Sequence, residues 1–184
     1  MMHISHHQTF AADEVTTTHF TRDLHRIREA LSTIHVDTSK GKLAPEAKRD
    51  LGATLETAIC GGHDIDPNSS RLGIPYHIEF TNVRSTSIDI GPVRDRTAHL
   101  LALGTYQQSL FTATLGWVIA KTLNRIDRGI IVAPTAMFAS AIGAPTSSYA
   151  RYIAILDMAQ RADALRVPTL LIGITPYPDD PEIA

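Results

Sequence analysis

Gly129-Ile130-Ile131-Val132-Ala133 is a continuous apolar run, closed by Pro134. A strand with one wet face alternates apolar and polar residues; a run without alternation fits a strand buried on both faces. Val167–Ile174 (VPTLLIGI) has the same character. Between them lie a Pro/Gly-containing loop, 134–146, and a helical pattern from about Ser147, with Tyr149, Tyr152, Ile153 and Leu156 on one face. Strand, helix and strand in that order predict a parallel pair joined by a right-handed crossover.

Upstream, Leu110, Phe111, Leu115, Val118, Ile119 and Leu123 predict one face of a long helix, with Trp117 in the core or at a subunit contact. Tyr76–Thr81, Ser87–Ile90 and Thr97–Leu103 read as three strands of an antiparallel meander. Two helices precede them. One begins near Asp13 and carries Phe20, Leu24, Ile27, Leu31 and Ile34 on its apolar face; the other begins at Pro45 and carries Leu51, Leu55 and Ile59. Residues 1–12 read as a frayed, flexible start, and 13–184 as a single domain. The fold class expected is α/β: a mixed central sheet flanked by helices.

Composition narrows the function. With 17 basic and 19 acidic side chains among 184 residues, the formal charge is −2, so any nucleic-acid surface must be local. The single cysteine, Cys60, excludes an internal disulfide framework and a Cys-rich zinc site, which fits a reducing cytoplasm. No apolar run has the length of a signal peptide's core or of a membrane helix. His3, His6 and His7 could collect a metal, but a solvated tail is the preferred reading. Lys40-Gly41-Lys42 lacks the earlier glycine and preceding strand of a phosphate loop, and Asp64/Asp66/Asn68 lacks the glycine and glutamate of a calcium loop.

Asp89 stands out, a carboxylate between Ile88 and Ile90 on a predicted strand. Strands disfavour Asp, and burying it unpaired is costly. It is either a metal ligand or general base, or an outward-facing solvated side chain. Glu79 sits similarly on the preceding strand. His99, inside Thr97–Leu103, is a satisfied core histidine or a ligand. No GxSxG or HExxH motif occurs. Thr146, Ser147 and Ser148 cap the following helix or, with Arg151, approach a phosphate or base edge.

The order of these segments resembles the BglII family of restriction endonucleases, over about residues 35–175. Ile88-Asp89-Ile90-Gly91 with Arg94-Asp95 resembles the strand of the first catalytic aspartate. Gly129–Val132, Met137-Phe138 and Thr146–Tyr152 resemble a core strand, a DNA-contacting loop and the next helix; Val167–Gly173 resembles the last core strand. The resemblance implies a homodimer around duplex DNA, reading a palindrome by its two-fold symmetry. It also implies Mg²⁺-dependent phosphodiester hydrolysis, with Asp89 as the metal-binding catalytic residue. It breaks at one place. The family places a glutamate and then Gln, Glu or Lys, two apart, on the strand after the aspartate; with a two-residue insertion at Pro92-Val93 those positions fall on His99 and Leu101. Leu101 cannot bind metal, and a nitrogen ligand suits Mg²⁺ poorly. The leading expectation is a homodimer that binds duplex DNA, with cleavage lost or weakened. A second is an active, Mg²⁺-dependent site-specific deoxyribonuclease using Asp89 with Glu79 or His99; a third is a non-enzymatic oligomeric or regulatory protein. Arg94, Arg96 and Arg151 are the candidate phosphate contacts.

Overall fold

The computed structural model describes residues 1–37, 42–60, 71–75, 85–103, 108–144, 148–178 and 180; the side chains of 60, 71–75, 85–89, 108 and 109 lie outside that description. Among the described residues seven strands and five helices follow in the order β1 (His3–Phe10), α1 (Glu14–Ser32), α2 (Pro45–Cys60), β2 (Arg71–Pro75), β3 (Ser85–Asp89), β4 (Val93–Arg94), β5 (Thr97–Leu101), α3 (Gln108–Thr122), β6 (Arg128–Pro134), α4 (Ala136–Ala141), α5 (Tyr149–Arg161) and β7 (Thr169–Thr175).

The two apolar runs become β6 and β7, every residue of both buried, at the centre of a sheet ordered β1-β7-β6-β5-β4. β5, β6 and β7 run parallel; β1 and β4 are antiparallel edges. Period-two alternation divides the core between two faces. Ile130, Val132, Leu170, Ile172 and Ile174 face α1 and α2, joining Phe20, Ile27, Leu31, Leu55 and Ile59. Ile131, Ala133 and Leu171 face α3 and α5, joining Leu110, Trp117, Tyr152 and Leu156. This is the mixed, helix-flanked α/β sheet expected from the sequence.

Four local expectations change. First, the meander is not one unit. β5 joins the main sheet parallel to β6, while β3 pairs with β2 in a separate two-stranded sheet; Tyr76–Thr81 lies outside the described residues. Second, the segment read as a frayed start contains β1, paired along β7 with Phe10 buried; its three histidines hid the strand pattern, since an edge strand tolerates polar side chains. Third, α4 stands inside the expected loop: Thr135 caps it, its Oγ1 accepting from the Phe138 amide at 3.3 Å, and Phe138 is fully buried. Fourth, α3 turns a different face inward. Leu110, Ala113, Trp117 and Ala120 are buried, while Phe111, Leu115 and Leu123 are exposed. The helix is apolar nearly all round, so periodicity could not choose between its sides. Gly129 decides the matter, because a Cβ there would fall 2.1 Å from the Trp117 ring.

Candidate active site

β3 ends at Asp89, whose backbone pairs with that of Arg71. The chain then passes Ile90, Gly91 and Pro92 into edge strand β4, reverses at Asp95-Arg96 and returns as β5. Both turn residues have positive φ, 47° and 60°, as a two-residue hairpin of the twist-matching type requires. Gly91 is also left-handed (φ 74°), and a Cβ on it would lie 2.0 Å from the His99 carbonyl oxygen. That close approach ties the segment after Asp89 to β5. The His99 amide donates to the Pro92 carbonyl at 2.9 Å, and His99 Nδ1 lies 3.3 Å from the same oxygen.

His99 is 3% exposed. Burial, and then the positive charge of Arg26, push its pKa down to about 4. The ring is therefore neutral near pH 7. A carbonyl oxygen only accepts, so its contact places the ring proton on Nδ1 and leaves a lone pair on Nε2. Among the described residues Nε2 has no hydrogen-bond partner.

Register explains what surrounds it. Arg94 pairs with Thr97 across β4–β5, and Thr97 with Arg128 across β5–β6. Directly opposed residues share a face, so Arg94, Thr97 and Arg128 form a cross-strand row beneath α1, with His99 one pleat further along β5. From α1, Asp23 places Oδ2 3.7 Å from Arg128 Nε and Oδ1 3.8 Å from the Arg26 guanidinium. Arg26 also donates to the Ile59 carbonyl at the end of α2. Side-chain exposure falls from 31% at Arg94 and 28% at Arg26 to 7% at Arg128. Thr97 Oγ1, Asp23 Oδ2 and Arg128 Nε make no hydrogen bond among the described residues.

The structure thus brings two expected residues, Arg94 and His99, into one cluster. Arg96 goes elsewhere: it forms a forked pair with Asp127 (2.7 Å, twice) and donates to the carbonyl and side-chain oxygens of Asn124. Ser148 precedes α5 and makes no side-chain cap bond. Arg151 is exposed on the first turn of α5, and that helix packs on the opposite face of the sheet from the arginine row. Glu79, Thr146 and Ser147 lie outside the described residues, as does the side chain of Asp89.

Sequence reading missed Asp23, Arg26 and Arg128. A signal for Asp23 existed: it falls in the buried stripe Phe20, Asp23, Ile27, Leu31, at helical steps of three, four and four. Arg128 had none, since an arginine ahead of an apolar strand reads as a solvated boundary.

Of the described side chains at this place, His99 offers a neutral imidazole nitrogen and Leu101 no polar atom, and the neighbouring Asp23 carboxylate lies 3.7 and 3.8 Å from two guanidinium groups. Among the described residues no group of three His, Cys, Asp or Glu could hold a metal.

A family model described as restriction endonuclease BglII/BglIII matches residues 4–174. No curated protein matches the chain. Among solved structures, a crystal structure of restriction endonuclease BglII complexed with a DNA 16-mer has a similar fold. Its TM-score is 0.59 at 15% identity, over 91% of this chain and 77% of that one.

Proposed function

This chain belongs to the BglII/BglIII restriction endonuclease family, and on that premise we propose that it binds duplex DNA as a homodimer, with phosphodiester cleavage weakened or lost. What supports the second half is His99: where the resemblance places the family's glutamate, this chain has a buried, neutral imidazole. It brings no negative charge with which to hold Mg²⁺, and Leu101 brings no polar atom with which to orient an attacking water. Asp89, with Glu79 or His99, is what the chain offers to support any residual cleavage.

The homodimer has a surface available. Phe111 and Leu115 stand 59% and 60% exposed on α3 and, with Val118, Ile155 and Ala159, line a groove between α3 and α5. From Ser109 to Ala120 the sequence carries no charge. A second copy offers the same uncharged face, and a two-fold pair presents its DNA-reading surface twice, as a palindrome requires.

Retention of a random-sequence duplex pool, with plasmid cleavage followed in Mg²⁺ and in Mn²⁺, tests the proposal. The expected result is retention with little or no cutting, and complete loss of any cutting in Asp89→Ala. Failure to retain the pool, or vigorous cutting that survives Asp89→Ala, would overturn it.

A further inference from the structure

We propose that Trp117 is a positioning residue for Asp89: its indole N–H, held by the core, fixes the Ile90 carbonyl and with it the end of β3. The inference deepens the reading of Asp89 as a residue that supports cleavage, and rests on that reading for its chemistry.

β3 pairs with β2 in the separate two-stranded sheet, so the ladder of the main sheet does not set its place. The helix α3 packs on β3 and also on β5 and β6 of the main sheet, and so bridges the two. α3 itself is fixed. Trp117 is fully buried, and its ring fills the space that a side chain at Gly129 would need. Ala113 and Ala120, buried four residues before it and three after, share its face and let the helix sit close. Interdigitated packing of this kind leaves little room to slide. From that fixed point Trp117 Nε1 donates to the Ile90 carbonyl at 2.7 Å. Ile90 is buried, and its Cα follows that of Asp89 by about 3.8 Å. A buried indole N–H and a buried carbonyl are each costly to leave unpaired, so the bond persists in the fold. On the β5 side, left-handed Gly91 lies against the His99 carbonyl. The end of β3 is thus held between α3 and β5 by contacts to the backbone of Ile90 and Gly91, whatever side chain stands at position 89.

The chain has one tryptophan, so biosynthetic replacement of tryptophan by benzothienylalanine tests the bond directly. That residue keeps the fused-ring shape and carries sulfur in place of the N–H. Trp117→Phe, which also shrinks the ring, is the genetic counterpart. Amide hydrogen exchange, resolved along the chain, is compared with duplex retention in EDTA and plasmid cutting in Mn²⁺. In the benzothienyl protein the amides of residues 85–91 should exchange about tenfold faster, while those of β6 and β7 keep their rates. Any Mn²⁺-dependent cutting by wild type should fall by a similar factor with retention unchanged. Uniform acceleration through β6 and β7 would make the indole a general core group and overturn the inference. So would unchanged exchange at 85–91, or β3 amides that already exchange at unfolded-chain rates in wild type. Cutting that persists at the wild-type rate despite selective acceleration would also overturn it. In a wild type that retains duplex without cutting, exchange alone decides. A wild type that retains no duplex defeats the DNA-binding reading, and exchange still decides whether Trp117 holds the strand.

Discussion

His99 is held neutral by its surroundings, and the consequence can be read as a pH dependence of stability. In the unfolded chain its pKa returns to the ordinary 6.5, whereas in the fold burial and Arg26 hold it near 4. As pH falls between those values the unfolded state takes up a proton that the native state refuses, so stability declines with falling pH. For a shift of this size the loss is on the order of 3 kcal/mol. Denaturant melts between pH 7 and 4 should show that decline, and the curve for His99→Gln should be flatter by this amount; parallel curves would mean the imidazole is not so confined. At this scale the sequence was half legible. A histidine at an apolar strand position announced itself, but the guanidinium that adds to burial in keeping it neutral comes from α1, 73 positions earlier, through packing that no local pattern encodes.

Elements were more legible where the pattern was strong. β6, β7, α2 and α5 follow from unbroken apolar runs or clear helical spacing, because the two strands bury both faces and each helix buries one predictable face. The edges were illegible for a physical reason: β1 and β4 are held by backbone pairing, which carries little side-chain signature. The far end of the sheet shows another tie of this kind. Thr135, after β6, and Thr175, closing β7, both donate to Asp180 Oδ2, at 2.6 and 2.9 Å, and all three residues are buried. Asp180→Ala leaves two buried hydroxyl protons without their acceptor and should cost about 3 kcal/mol in urea unfolding. Asp180→Asn retains an acceptor and should cost less; equal costs would show that shape, not hydrogen bonding, matters there.

For the whole molecule, the fold was legible as an ordered set of segments and the site was not. Order survives in a sequence even when identity to a solved relative has fallen to 15%. The proposed loss of cleavage turns on single positions such as His99 and Leu101, and the surroundings of His99 include neighbours such as Arg26 that helix packing brings in. Quaternary structure belongs to the same scale. Under the homodimer proposal, sedimentation should show a dimer for wild type and a folded monomer for Leu115→Asp, because a charge buried in an apolar interface costs more than such an interface returns. The retained dimer of that variant would place the two-fold elsewhere.

Trp117, the protein's one tryptophan, spans the two halves of this architecture: its ring lies over Gly129 of β6, and its indole N–H donates to the Ile90 carbonyl at 2.7 Å, one residue beyond Asp89. The molecule therefore carries its own optical reporter. Any event that shifts the strand bearing Asp89 must stretch or release that bond and change the indole's emission, with no label attached.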